Sequence, residues 1–333
     1  MKGALNVPSS HRDQSPTPER RGTLNSLQPL SRLCGPALNA VPDFKYLGIT
    51  FHCCKPLGES AAAARAAVAR FAAASFEARC EELGLEAAKL LLTLYDVLVD
   101  STLSYAGAVW APGLAMAAAA RPVVSGGAGR STPLSEPELQ HLRFLRRLLA
   151  LPRSTPAATI LAEAGQPPLH ARWLRQAARL WNSLVTAPEG SMPRLVVQAA
   201  AAVAVDCADV LPQRQPWAAQ LAHSLRAVGL TFEPLHMDKI SPDSAQQATL
   251  RLHLARVTQE TPAHTRLRHY FCDVRPECCS LDGYGRPPYV TEVLRHFHKS
   301  AAARCKLYVE LFTVVVNASQ DSSEPLNRYF TLL

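Results

Sequence analysis

The sequence lacks a long hydrophobic run. Its first residues carry Pro8, Pro16 and Pro18 among Ser, Arg and Asp, where a signal peptide needs continuous hydrophobicity. The longest uncharged stretch, residues 101–120, contains Pro112 and is rich in alanine. This stretch is too weakly apolar for a membrane span, and we interpret it as a helix end and a loop. We therefore predict an intracellular protein, nuclear or cytoplasmic, that is neither secreted nor held in a membrane.

The cysteines lack the spacing of a disulfide framework or of a zinc site. There are nine, an odd number, and Cys53-Cys54 and Cys278-Cys279 are adjacent in the chain, which favours a reducing compartment. Cys272 and Cys278 are farther apart, and Cys278 and Cys279 closer, than the roughly two to four intervening residues of a structural zinc pair. His296 and His298 would point apart on a helix. The sequence thus predicts no metal ligand and no cofactor.

Catalytic motifs are also missing. The sequence contains no Gly-x-Gly-x-x-Gly motif, no P-loop and no Gly-x-Ser-x-Gly motif. The scattered Cys and His residues define no nucleophile pair. We predict no catalytic residue.

Apolar residues and arginine are plentiful. The 333 residues are 48% hydrophobic, enough for a core in one to three domains. The formal net charge is +8, and residues 130–180 hold eight arginines against three glutamates. This concentration of positive charge favours a polyanionic partner, and the alternative is that these arginines only solvate helix faces.

Hydrophobic spacing predicts a mainly α-helical fold of one or more bundles, with a short β-strand pair near residues 44–54 and disordered termini. Residues 44–51 nearly alternate, which places Phe44 and Tyr46 on one face of a strand and Leu47, Ile49 and Phe51 on the other. Residues 58–80 are an alanine-rich helix. A second helix is predicted over 85–105 and packed on the first, with Tyr95 and Leu98 buried. Its apolar stripe consists of Leu85, Ala88, Leu92, Tyr95 and Val99.

Start and stop signals define the later helices. Ser135 and Glu138 have the spacing of a capping box before a leucine-rich helix. That helix should bury Leu142, Leu145 and Leu149 and expose Arg143, Arg146 and Arg147 as one positive strip. A short helix ends at Gly165, and a longer helix carries Trp173 and Trp181 after Pro167-Pro168. Helical spacing continues over 193–205, 216–228 and 242–260, followed by a loop over 271–288 and a last helix from Tyr289.

Three blocks together resemble non-LTR (LINE-type) retrotransposon reverse transcriptases. Lys45-Tyr46-Leu47-Gly48 resembles the strand that follows the catalytic palm. Residues 94–110, with Leu-Ser-Tyr at 103–105 and tryptophan at 110, resemble the thumb helix of the family. Residues 141–152 and 161–169 resemble the helical segment after the thumb, and Trp173 and Trp181 continue this third block. The order and separation agree with the family, and the blocks cover about residues 34–190.

The resemblance implies a nucleic-acid-binding module whose partner is RNA or an RNA/DNA duplex. It implies contacts from seven residues: Lys45, Tyr46, Leu47, Gly48, Arg143, Arg146 and Arg147. The first four correspond to the primer-grip region, where the backbone holds the primer end; alternatively, Tyr46 and Leu47 only pack the strand on the thumb. Tyr105 and Trp110 are candidates for base stacking, or else core aromatics.

The family's chemistry needs two metal ions on palm aspartates, in a Tyr/Phe-x-Asp-Asp box before the Lys-Tyr-Leu-Gly strand. The acids before Phe44 are Asp13, Glu19 and Asp43, and none is paired. We therefore expect a reverse transcriptase fragment, related to an RNA-directed DNA polymerase but inactive by itself. The alternatives are a free-standing α-helical interaction protein and the non-functional product of a decayed element.

The sequence does not indicate an oligomeric state. Composition, spacing and the resemblance together divide the chain into six parts. They are a disordered lead-in (1–40), a primer-grip strand with thumb-like helices (41–115), a flexible linker (116–134), a helical post-thumb module (135–262), a Cys-containing loop (263–288) and a terminal helix with a divergent tail (289–333).

Overall fold

The computed structural model describes residues 41–85, 88–121, 134–149, 151–205, 214–263 and 265–285. Nearly all of them belong to one unit that begins at Asp43. They form helices and a single two-stranded sheet, so the mainly α-helical prediction is confirmed. The predicted disordered lead-in and the terminal helix with its tail lie outside the described residues.

A β-hairpin opens the described chain. Strands β1 (Asp43–Tyr46) and β2 (Ile49–His52) pair antiparallel, with Tyr46 opposite Ile49 and Phe44 opposite Phe51. Leu47 and Gly48 form the turn, both with positive φ, as a two-residue hairpin turn of the I′ type requires. The predicted strand pair is confirmed, but the predicted division of faces is wrong. Because directly opposed residues share a face, the turn places Phe44, Tyr46, Ile49 and Phe51 on the same side.

Twelve α-helices follow within the described ranges. Helix α2 (Ala88–Tyr95) continues through the π-helical turn Asp96–Asp100 into α3 (Ser101–Leu103). Helix α12 (Thr265–Arg268) continues through a second π-helical turn, His269–Val274, to the 3₁₀ turn Pro276–Cys279. Two further 3₁₀ turns are Pro234–His236 and Thr261–Ala263. The helices are α1 (Leu57–Glu82), α2 (Ala88–Tyr95), α3 (Ser101–Leu103), α4 (Gly107–Trp110), α5 (Pro112–Ala120), α6 (Glu136–Leu148), α7 (Ala157–Ala164), α8 (Leu169–Val185), α9 (Met192–Val205), α10 (Trp217–Ala227), α11 (Pro242–Glu260) and α12 (Thr265–Arg268). Among these helices we find none that combines the length and the apolar character needed to cross a membrane.

The second predicted helix has the expected stripe. Leu92, Tyr95 and Val99 are buried, and α2, α3 and the turn between them contact α1. The predicted burial of Leu98 is wrong, since its side chain is 53% exposed. Leu98 lies in the π-helical turn, which has more residues per turn than an α-helix, so the three-residue step from Tyr95 leaves Leu98 off the stripe that Tyr95 and Val99 share.

The loop predicted within residues 101–120 is wrong. After a left-handed residue at Ala106, the chain forms α4 and α5, and Pro112 occupies the start of α5, where a missing N–H costs nothing. Alanine has the highest helix propensity, and α5 packs against α8 and α10. Residues 116–120 of the predicted linker are therefore helical, and residues 122–133 lie outside the described chain.

Helix α8 joins two of the three core clusters. Trp173 belongs to a cluster that includes residues of the hairpin, α1, α2, α6 and α7, whereas Trp181 belongs to a cluster with residues of α9, α10 and the start of α11. The Ser135–Glu138 capping box before α6, the stop of α7 at the left-handed Gly165 and the start of α8 after Pro168 are confirmed.

The third cluster corrects the loop predicted near the C-terminal end of the described chain. Most of residues 265–279 lie in helical turns, and Tyr270, Phe271 and Cys278 are buried against α7 and α11. Arg275 donates hydrogen bonds to the carbonyls of Ala162 and Gly285. Burial of these apolar side chains on α7 stabilises a segment whose sequence has no helical stripe.

Candidate nucleic-acid interface

The hairpin turn is held by side chains of the thumb-like helices. The Tyr105 hydroxyl donates a hydrogen bond to the Leu47 carbonyl at 3.1 Å, and the Arg65 guanidinium donates to the Gly48 carbonyl. The Arg65 guanidinium also lies 5.0 Å from the centre of the Tyr105 ring, a cation–π distance. The Tyr-Leu-Gly block and the Leu-Ser-Tyr block therefore touch, although about sixty residues separate them in the chain.

The side chains of Tyr46 and Leu47 point away from this anchor. Leu47 is 70% exposed and Tyr46 57%, so neither side chain packs the hairpin on the helices. Lys45 is also exposed, and Gly48 is half-buried. The hairpin turn contacts the helices through the backbone carbonyls of Leu47 and Gly48. The side chains of Tyr46 and Leu47 do not pack on the thumb-like helices, contrary to the alternative interpretation.

An aromatic surface results on one face of the hairpin. The rings of Phe44 and Tyr46 are stacked at 6.3 Å with 14° between their planes, and Phe51 lies opposite Phe44. All three rings are exposed, while Ile49 of the same face is buried against the helices. Stacked, exposed rings offer the π-faces that single-stranded nucleic acid binds, and Lys45 adds positive charge on the opposite face of the same strand.

The two other candidate aromatics have different environments. Trp110 is buried, its ring edge packs on Trp173, and its indole N–H donates to the Tyr105 carbonyl at 2.8 Å. Trp110 is therefore a core residue. Tyr105 is half exposed, but its hydroxyl and ring are engaged by the hairpin turn and Arg65.

The arginines of α6 do not form one free strip. Arg143 is exposed, but Arg147 pairs with Glu77 of α1 at 2.8 Å, and Arg146 donates to the Thr155 carbonyl at 3.3 Å. Burial, followed by the charge of Arg143, lowers the pKa of Arg146. Leu142, Leu145 and Leu149 are buried as predicted. The predicted single strip is thus reduced to Arg143 and the partly exposed, paired Arg147.

The hairpin and the α6 arginines lie at different places along α1. The hairpin is bound near Arg65, whereas Arg147 is bound at Glu77. At about 1.5 Å per residue these two positions are about 18 Å apart along the helix axis. The predicted site residues therefore form two separate groups.

Buried polar contacts connect the second and third blocks. Arg172 of α8 pairs with Asp100 at 2.8 Å and with Asp96 at 3.3 Å. The indole N–H of Trp173 is 3.3 Å from the Ser104 hydroxyl. No spacing rule marks these pairs, because their partners are about seventy residues apart, and sequence analysis missed them.

A buried carboxylate lies at the start of α6. Glu138 is 3.2 Å from Arg121 and 3.4 Å from His170, and its carboxylate accepts the Ser135 N–H at 2.9 Å. Burial alone would raise the pKa of Glu138, but His170, Arg121 and the Ser135 N–H together lower it to about 2. A carboxylate held in this way stays charged, so we interpret it as structural.

His141 lies on the same helix, and its ring nitrogen Nδ1 is 3.2 Å from the Tyr95 hydroxyl. Burial, followed by the charge of Arg172, lowers the pKa of His141 to about 3. The imidazole is therefore neutral and belongs to the core between α2 and α6.

Comparison of the chain with protein-family models, with curated proteins and with solved structures finds no match.

Proposed function

We propose that this chain is the thumb and post-thumb part of a LINE-type reverse transcriptase and that it binds RNA or an RNA/DNA duplex without polymerising. The observation that carries the proposal is the contact between Tyr105 and Leu47. It joins two blocks that resemble the family and that follow one another in the order the family has them.

The third block supports the same proposal. Arg172 and Trp173 bind Asp100 and Ser104 at the end of the second block, so the three blocks share one core.

The exposed groups supply the binding surface in this proposal. Phe44 and Tyr46 would stack on bases, and Lys45, Arg143 and Arg147 would contact phosphates. Arg147 would have to exchange Glu77 for a phosphate, a small cost because the pair is partly exposed.

Titration of a labelled RNA/DNA duplex at two salt concentrations tests the proposal. Replacing both Arg143 and Arg147 with Ala should weaken binding to all sequences alike and reduce the salt dependence by about one unit of slope per lost phosphate contact. Because bases in a duplex are already stacked on each other, the aromatic surface is tested with labelled single-stranded RNA. Phe44→Ala with Tyr46→Ala should weaken its binding by about 1–3 kcal/mol per lost stack, with little change in the salt slope. The matched control is Arg226→Ala, an exposed arginine on α10 that pairs with Glu233. Equal affinities for the wild type and all variants would contradict the proposal.

Polymerase assays test the second half. No Asp-Asp pair occurs in the sequence, so we expect no primer extension with any template in either Mg²⁺ or Mn²⁺. Template-dependent incorporation by the purified chain would contradict this.

One observation favours a second candidate, a helical protein-interaction module. The aromatic face of the hairpin is apolar and lacks a partner among the described residues, and such faces also bind proteins. In that case the duplex would bind weakly or not at all, and the arginine variants would leave its titration unchanged.

A further inference from the structure

We propose that His52, Cys53 and Cys54 form a binding site for one thiolate-preferring divalent metal ion of the zinc class. The three potential ligand atoms all lie within 4.8 Å of one another. The group begins at the end of β2 and continues into the connection to α1. It is independent of the proposed nucleic-acid surface, because neither the aromatic rings nor the α6 arginines take part. Sequence analysis missed it, because adjacent cysteines do not have the spacing of the usual zinc motifs.

The two sulfurs are close enough to bind one ion. Cys53 Sγ and Cys54 Sγ are 3.3 Å apart, and both side chains are exposed. A tetrahedral zinc ion with Zn–S bonds of about 2.3 Å holds its sulfurs roughly 3.8 Å apart, so the pair must open by only about 0.5 Å. Binding converts both thiols to thiolates and releases their two protons to solvent. The two thiolate charges then balance the charge of the ion.

The imidazole has the tautomer that a third ligand needs. The Cys54 backbone N–H donates to His52 Nδ1 at 3.0 Å, so Nδ1 carries the lone pair and the proton is on Nε2. His52 Nε2 lies 3.5 Å from the Asp43 carboxylate, which faces it across the hairpin. A carboxylate behind the imidazole is how metal-binding histidines are usually oriented. A metal ion bound to His52 Nδ1 takes the place of the Cys54 N–H as the partner of that nitrogen. The Cys54 N–H is exposed and can then donate to water.

The backbone that carries these ligands is fixed by other contacts. The Ser60 hydroxyl donates to the Thr50 carbonyl at 3.2 Å, and Arg65 holds Gly48 at the opposite end of the hairpin. The three ligands can therefore be replaced without removing what holds the hairpin on α1. Two thiolates and one imidazole leave the fourth tetrahedral position to water.

Metal titration of the reduced full chain tests the site. Zn²⁺ affinity is measured by competition with a chromophoric chelator, and Co²⁺ is used to record thiolate-to-metal charge-transfer absorption. A phosphine reductant keeps the adjacent thiols reduced. We expect the double variant Cys53→Ser, Cys54→Ser to lose one tightly bound ion together with the absorption that the pair contributes. The matched control is Cys272→Ser, because Cys272 is also exposed and lies outside the group.

Two further variants separate ligation from folding. His52→Gln should change the Co²⁺ spectrum and weaken binding, and Asp43→Ala should weaken it by roughly ten-fold or more, since Asp43 acts as a positioning residue. Circular dichroism of each variant checks that the helices remain. If the double cysteine variant keeps both the bound ion and the Co²⁺ absorption of the wild type, the proposal is wrong. Unchanged affinity in both His52→Gln and Asp43→Ala would also overturn the assigned ligand set.

Discussion

Arg172 of α8 donates a hydrogen bond to Asp100 at the end of the π-helical turn, with 2.8 Å between Nη1 and Oδ2. Both side chains are mostly buried. Burial raises the pKa of Asp100, and the charge of Arg172 opposes that rise. The pair therefore depends on both partners, and each is costly to bury alone.

Arg172→Ala should consequently destabilise the fold by about 3–5 kcal/mol, because it leaves the Asp100 carboxylate buried without its cation. Chemical denaturation measures the change. The control is Arg226→Ala, which removes an exposed pair with Glu233 and should cost at most about 1 kcal/mol. Similar losses for the two variants would contradict the structural role of the buried pair.

Leu92 and Leu98 provide a matched test of the helix register. Leu92 is 1% exposed, whereas Leu98, on the same run of helical turns, is mostly exposed. Leu92→Ala should cost about 2–5 kcal/mol of the free energy of unfolding, and Leu98→Ala less than about 0.5 kcal/mol. If Leu98→Ala is the more damaging substitution, the register of this helix is wrong.

Tyr105→Phe removes the hydroxyl that binds the Leu47 carbonyl and keeps the ring beside Arg65. Because the contact is partly exposed, its loss should cost about 0.5–1 kcal/mol locally. We expect hydrogen exchange of the hairpin amides to accelerate roughly two- to five-fold, with little change in global unfolding. Tyr46→Phe is the control, since the Tyr46 hydroxyl makes no hydrogen bond with the described residues. Equal exchange in the two variants would show that the Tyr105 contact does not hold the turn.

The free energy of unfolding should decrease as the pH is lowered from near neutral. The pKa of His141 is about 3 in the fold against an ordinary 6.5, so its contribution is complete above pH 6.5 and is lost as the pH falls toward 3. His253 adds a loss in the same direction, since burial also lowers its pKa to about 3. Glu138, with a pKa of about 2 against 4.5, loses its contribution below pH 4.5. Burial raises the pKa of Asp100, so that group opposes part of the loss.

Urea unfolding from about pH 7 down to about pH 4 measures this dependence. His141→Gln should lower stability at neutral pH and flatten the decline below pH 6.5, because one group that must be protonated on unfolding is gone. His236→Gln, at an exposed position, is the control. An unchanged pH profile in His141→Gln would contradict the buried, neutral state of this histidine.

Local chemistry explains which helices could be predicted. The capping box at Ser135, the left-handed Gly165 and the apolar stripe through Tyr95 and Val99 depend on residues within about one turn of one another. Spacing in the sequence contains that information directly. The helix α5 was missed because a proline and a glycine in an alanine-rich run also favour a loop, and burial against α8 and α10 adds to the helix propensity of alanine.

The sequence by itself determined the helical character of the chain and the buried leucine stripe of α6. Tertiary structure decided which candidate site residues are exposed. Leu47 and Gly48 form a turn whose carbonyls are bound by Tyr105 and Arg65, and Arg147 is bound by Glu77. These partners are tens of residues apart in the chain. Hydrogen bonds and ion pairs of this kind form only after the elements pack, because packing alone brings such groups within bonding distance.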